Sequence, residues 1–246
     1  MSDSISRICL WSGPRNVSTA LMYSFAQRSD TKVFDEPLYA HYLRESKAKE
    51  YHPMATEIIE SMENDGRNVV EMMCSNHGKS VLFFKQMTHH LISLNWDFLS
   101  KMKNVILTRD PYEMLPSFAK EIDNPTMHDV GYLAHIELLK YLDNTGQNAV
   151  VIDSKDILLN PEAGLKELCK ALGIPFEKEM LSWPAGPIKE DGVWASHWYG
   201  NVHKSVGFKP YEKKLESFPE KLKPLLEKCI PLYNQLRNRS LKFEHV

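Results

Sequence analysis

Five short apolar runs, at 7–11, 31–35, 80–85, 104–108 and 149–153, constrain this chain more than any other feature. Most of them hold consecutive apolar residues instead of a strict apolar/polar alternation. That pattern suits strands covered on both faces, as in a buried parallel sheet. Between the runs the apolar period lengthens to a helical one. Leu21, Met22 and Phe25 follow the first run, Met54, Ile58 and Met62 come later, and Leu133, Ile136 and Leu139 precede the last. Strands alternating with helices predict an α/β fold: an open doubly wound sheet, mostly parallel, with helices on both faces.

One later segment reads as a helix with both ends marked. In NPEAGLKELCKALGIP, Asn160 caps the start, Pro161 takes the first position and Gly173 stops it, while Leu165, Leu168, Cys169 and Leu172 share a face. A last helical stretch covers 218–236, where Pro224 and Pro231 are expected to kink or split it. With 246 residues, 43% of them hydrophobic, and no linker, repeat or low-complexity run, the chain is read as a single domain over 1–246.

The charge balance narrows the function. A net charge of -2 argues against a general nucleic-acid binder, which needs a clustered basic surplus, so no nucleic-acid partner is expected and basic residues act locally. The opening MSDSISR carries no long apolar core, and no later run approaches the ~20 apolar residues of a membrane span. A soluble, cytoplasmic protein without membrane contact is expected. Cys9, Cys74, Cys169 and Cys229 form no CxxC pair, so reduced, mostly buried thiols are expected and no metal site is.

In open α/β sheets, ligands bind outside the carboxyl ends of the strands. The residues there are polar in all five places: 15–19, Asp35 and Glu36, 85–90, Arg109 and Asp110, and 154–156. The first of these groups lies in GPRNVSTAL, a strand exit, polar turn and helix start. Such a turn leaves backbone amides free to meet phosphate oxygens, backed by the positive end of the helix dipole. The loop has one glycine, Gly13, and lacks the GxxxxGK[ST] spacing of a nucleotide triphosphatase. By itself it is equally a strand-to-helix connection capped by Ser18.

Three segments resemble, in order, those of sulfotransferases that use 3'-phosphoadenosine 5'-phosphosulfate (PAPS). GPRNVSTA is similar to the 5'-phosphosulfate loop, NVILTRDPYEMLPSF to the 3'-phosphate segment, and VVIDSKDILLNPEAGLKELCKALGIP to the strand, acidic turn and leucine-rich helix. Together they span most of 5–180. The resemblance is to the short bacterial type, with a P-loop-like sheet. It implies PAPS as co-substrate, held by Arg15, Asn16, Val17, Ser18 and Thr19 at the 5' end and by Arg109 and Ser117 at the 3'-phosphate. Two departures accompany it: Ser154 stands where many cytosolic members have tyrosine, and their C-terminal RKG motif is absent. Lys204 and Ser205, in DGVWASHWYGNVHKSVGF, are the expected substitutes.

Sulfuryl transfer needs acceptor, sulfur and leaving oxygen in line, with positive charge at the leaving phosphate and a base at the acceptor. Lys85 resembles the family lysine that neutralises the bridging oxygen, with Arg15 as the expected contact to the leaving phosphate. Two bases compete: Glu36 in FDEPL and a histidine of KQMTHHL. A histidine titrates near ~6.5, whereas an ordinary carboxylate near ~4 is weak unless buried. The motif match is closer at Glu36, which is taken as the base, with His89 and His90 as pocket residues. Asp35 is expected to point away from Glu36, and Asp110 to cap a helix. Trp183, Trp194, Trp198 and Tyr199 are candidates for a lid over the substrate or a cage for a cation, with plain packing the commoner role of aromatic side chains in such a segment.

The resulting expectation is metal-independent, in-line transfer of a sulfuryl group from PAPS to a hydroxyl of a small-molecule acceptor. A small-molecule or nucleotide kinase of the same sheet type and a non-catalytic nucleotide-binding protein remain as alternatives.

Overall fold

In the computed structural model, residues 5–213 and 217–243 are described; the first four residues of MSDSISR lie outside them. Five parallel strands, β1 (Ser6–Ser12), β2 (Thr31–Asp35), β3 (Val81–Met87), β4 (Lys103–Thr108) and β5 (Ala149–Asp153), form one sheet in the order β2-β3-β1-β4-β5. All five apolar runs are strands within two residues of their expected ends.

Most of the runs hold consecutive apolar residues because both faces of the sheet are covered. Ile8, Leu10, Val33, Phe83, Val105 and Leu107 pack into one core cluster; Cys9, Trp11, Leu82, Phe84 and Ile106 pack into another. Successive residues alternate between the two layers, so an alternating pleat buries an unbroken apolar run.

The connections begin with α1 (Ser18–Ala26), α2 (Tyr39–Glu45), α3 (Ala55–Ser61) and α4 (Gly66–Cys74). After β4 come α5 (Pro111–Phe118), α6 (Met127–Val130) and α7 (Tyr132–Asn144). After β5 come α8 (Ser154–Leu159), α9 (Pro161–Ala171), α10 (Ala195–Trp198) and α11 (Lys223–Arg239). Helix α9 has the expected ends: Asn160 accepts from Ala163 N, Pro161 sits in the first turn, and Gly173 follows with φ +61°. None of the described helices is long and apolar enough to cross a membrane.

Helix α11 corrects one expectation. Pro224 lies in the first turn, where its missing N–H costs nothing, and the helix continues through Pro231 to Arg239 without splitting. Cys9, Cys169 and Cys229 are buried and Cys74 is half-buried, all four as free thiols.

Candidate functional site

A cavity of about 490 Å³ opens over the carboxyl ends of the strands. Residues 13–20, Glu36, Lys85, His89, His90, Arg109 and Ser117 all line it. Four of the five polar strand ends therefore meet in one place. The fifth does not: Ser154 donates to Thr108 O, Asp153 accepts from Tyr233, and Asp156 pairs with Arg237, so this group fastens α8 and α11 to the sheet.

The loop after β1 is shaped by its own side chains. Val17 is the N-cap position of α1 without a side-chain cap, and Asn16 Oδ1, not Ser18, accepts a loop amide, that of Ser18, at 3.0 Å. The first-turn amides of Thr19 and Ala20 have no intrahelical acceptor and lie at the positive end of the helix dipole. No acidic residue occupies that turn. Gly13 suits a close approach: a Cβ there would meet Val130 O at 3.0 Å, so the neighbouring backbone would have to shift.

Arg15 is one of five non-glycine residues in the left-handed region among those described, with φ +55°. Its Nε donates to Ser117 Oγ at 3.3 Å, and its carbonyl accepts from Arg109 Nη1 at 2.6 Å. Arg109 is held in turn by Glu113, at 3.4 Å, and its own carbonyl accepts from Tyr132. The two arginines and Ser117 thus form one group, with α5 started by Asp110, which caps it through Tyr112 N as expected. With this left-handed turn the Arg15 guanidinium lies on the Arg109 side of the cavity.

On the other side, Lys85 is 2% exposed and gives its three ammonium hydrogens to three acceptors. These are Asp35 Oδ1 at 2.9 Å, Tyr199 Oη at 2.7 Å and Glu36 Oε1. Asp35 does not point away from the site. It pairs with Lys85 in the β2–β3 register, so both side chains leave the same face of the sheet. Glu36 would then fall on the opposite face, but its φ of +44° breaks the pleat and swings the carboxylate back to Lys85. Left-handed non-glycine residues cost on the order of 1–3 kcal/mol and concentrate at functional sites; here both Arg15 and Glu36 line the cavity.

Burial by itself would lower the Lys85 pKa, but Asp35 and Glu36 more than reverse this and hold the ammonium above its ordinary value. Burial raises the Glu36 carboxyl, against the pull of Lys85. The two histidines sit in the short 3-10 turn Thr88–Leu91. His90 Nδ1 lies 4.0 Å from Glu36 Oε2. Burial pushes His89 down to about 3 and His90 well below its usual range, so both rings are neutral at physiological pH.

The C-terminal expectations divide. Ser205 is buried and lines the cavity, whereas Lys204 is exposed and does not. Trp194, Trp198 and Tyr199 line the cavity, and Trp194 Nε1 donates to the Tyr199 oxygen at 3.0 Å. Trp183 is elsewhere, edge-on to Tyr23 and Phe208. Sequence reasoning missed Tyr39, Tyr42, Tyr51, His52 and Asp129, which also line the cavity. The first four fall in the aromatic and histidine-rich stretch LYAHYLRESKAKEYHP, a signal open to reading.

A family model described as a sulfotransferase domain matches residues 6–240. Two Arabidopsis thaliana proteins, branched-chain-amino-acid aminotransferase-like proteins 2 and 1, are 42% and 41% identical over 229 and 230 residues. These alignments cover 92% and 93% of this chain but 40% and 41% of the relatives, so the chain spans about two fifths of the length of the curated relatives it matches. Among solved structures, a sulfotransferase from Alicyclobacillus acidocaldarius superposes with a TM-score of 0.57 at 12% identity, over 97% of this chain and 98% of that one. The sulfotransferase domain from the curacin biosynthetic pathway gives 0.52 at 18% identity, over 98% and 94%. At those identities the likeness is one of fold.

Proposed function

The chain belongs to the sulfotransferase domain family, and on that premise we propose that it transfers a sulfuryl group from PAPS to the hydroxyl of a small molecule. The observation that carries this reading is the placement, in one cavity, of an Arg15–Arg109–Ser117 group, an amide-rich helix start and a buried lysine beside two carboxylates.

The residues suit a doubly anionic nucleotide. Arg15 has no carboxylate partner among the described residues, and the open amides of Thr19 and Ala20 lie on the same loop. Arg109, Arg15 and Ser117 would hold the 3'-phosphate, and the amides of 16–19 the 5' end, with Ser205 contributing from the C-terminal segment. PAPS supplies an activated sulfuryl group whose departure leaves negative charge on the 5'-phosphate.

Lys85 is the residue aimed at that charge. All its hydrogens are already engaged, so meeting an anion requires releasing one acceptor. Asp35 is fixed by Tyr199 Oη at 2.8 Å and by Gly192 N at 3.2 Å, which makes Glu36 the partner to be released. A freed Glu36, its basicity raised by burial, accepts the acceptor proton. Neutral His89 and His90, with depressed pKa values, are poor bases and serve as pocket walls and hydrogen-bonding groups.

Thermal denaturation with 3',5'-adenosine bisphosphate in chelator tests the donor. Stabilisation without metal is expected. Stabilisation by ATP with magnesium and not by the bisphosphate would replace this reading with a kinase. Bisphosphate binding without sulfate transfer to any of a broad panel of alcohols would replace it with a non-catalytic binder.

A further inference from the structure

Beyond the Lys85–Glu36 pair, one side of the cavity is a continuous aromatic wall. His90 is stacked between Tyr39 and Tyr42, with ring centroids 4.9 and 4.7 Å apart. Trp194 meets Tyr39 edge-on at 4.9 Å, and His52 lies 3.1 Å from the Tyr39 hydroxyl, with its ring 6.0 Å from that of Trp198. At the outer end, Tyr51 Oη donates to Asp129 Oδ1 at 3.1 Å.

The carboxylates of this wall are Glu36, which Lys85 engages, and Asp129. Burial lowers the pKa of the lining imidazoles His52, His89 and His90 so that they add no positive charge. The basic side chains lining the cavity lie elsewhere or are occupied. Arg15 and Arg109 belong to the Ser117 group, and Lys85 is engaged by two carboxylates. Lys209 sits on the segment whose Tyr211 bonds Glu113, the partner of Arg109. Two wall residues also hold unused polar atoms: the Nδ1 atoms of His89 and His90 are buried without a hydrogen-bond partner.

We propose that the acceptor is an amino alcohol: its hydroxyl meets Glu36 and His90, and its ammonium group sits among Tyr39, Tyr42 and Trp198 in the field of Asp129. Aromatic rings attract a desolvated ammonium, and a nearby carboxylate adds to that attraction while repelling anionic acceptors. The unpaired imidazole nitrogen beside Glu36 gives an alcohol oxygen or proton a second partner. This inference rests on the sulfotransfer reading for the hydroxyl's fate, but its recognition element is independent of the nucleotide.

The test is calorimetric titration of the full chain, with and without saturating 3',5'-adenosine bisphosphate, using three probes. These are choline, its uncharged isostere 3,3-dimethylbutan-1-ol, and the anion 4-hydroxybutanoate. Choline is expected to bind about tenfold or more tightly than its isostere, with the anion weakest. Asp129→Asn is expected to shrink the choline-to-isostere ratio several-fold. Asp129 also closes a capping box with Thr126, so the ratio, and not either affinity, is the readout; equal loss for both probes reports packing damage and counts against the inference. Tyr42→Leu must shrink the same ratio. An isostere or anion that binds as well as choline overturns the inference, as does no binding by any probe. Bisphosphate that fails to bind while choline is still preferred sinks the transfer reading and leaves the ammonium site standing.

Discussion

Arg109 donates through Nη1 to the main-chain carbonyl of Arg15 at 2.6 Å. The end of β4 thereby fixes the turn after β1, and the same guanidinium lines the cavity. A charge-assisted hydrogen bond of this kind is worth ~1.5–3 kcal/mol. Arg109→Ala is therefore expected to weaken 3',5'-adenosine bisphosphate about tenfold to a hundredfold in calorimetric titration. Arg109→Lys keeps the charge without the planar fork and should recover only part of this. Wild-type affinity in Arg109→Ala would remove this residue from the nucleotide site.

Lys85→Met leaves Asp35 and Glu36 buried side by side without their cation. Breaking a buried ion pair from one side costs ~3–5 kcal/mol, to be read as a lower unfolding midpoint in urea. Adding Glu36→Gln removes one stranded charge and should restore part of the loss. If the double variant were no more stable than Lys85→Met, the stranded-charge account would be wrong.

Glu36→Gln keeps the shape of the side chain and removes the proton acceptor. Turnover with any productive acceptor is expected to fall ~10²–10⁴-fold, while bisphosphate affinity stays within about threefold, or ~0.7 kcal/mol. His89→Asn, which keeps a polar group at a neutral wall position, should cost far less turnover. The reverse ranking in single-turnover assays would move the base to the histidine.

Tyr199→Phe tests the clamp on the lysine. The hydroxyl donates to Asp35, and accepts from Lys85 and Trp194, so its removal leaves buried groups short of a partner. A destabilisation of ~1–3 kcal/mol is expected, together with lower turnover at unchanged bisphosphate affinity. Wild-type stability in chemical denaturation would show that the hydroxyl organises nothing.

Acid should weaken the fold before its carboxylates protonate. Burial pushes His89 down to about 3 and His135 down to about 4, below the ~6.5 of an unfolded histidine. Between those values the unfolded chain binds more protons than the folded one. Stability is thus fully present above pH ~6.5 and is lost as pH falls toward the folded values. The slope approaches ~1.4 kcal/mol per pH unit for each histidine. Melting temperature should fall between pH 6.5 and 5.5, and His135→Phe should flatten that fall. A wild-type melting temperature that is flat over this interval would contradict it.

The strands were legible because each is a run of apolar residues short enough to fit nothing else in an α/β chain. Both ends of α9 were legible because Asn160, Pro161 and Gly173 act locally on backbone geometry. Arg15 and Arg109 could be expected at one cavity because parallel strands bring their carboxyl ends to one edge; that Arg15 bonds Ser117 and accepts from Arg109 could not. The aromatic wall was passed over because Tyr39, Tyr42 and His52 are spaced like ordinary packing residues; a cavity is a property of what surrounds them.

The order of elements, the place of the crevice and the kind of group at each strand end follow from the sequence by itself, since periodicity and turn chemistry act within a few residues. The direction of individual side chains does not. Asp35 faces Lys85 because the β2–β3 register pairs them. Glu36 and Arg15 reach their partners through left-handed backbone that no propensity favours. Trp183 parts from Trp194 because it packs against Tyr23 and Phe208, whereas Trp194 packs against Tyr39 in the cavity. Those choices belong to packing between residues far apart in the chain, as between Lys85 and Asp35, 50 positions apart, where long-range contacts outweigh local preference.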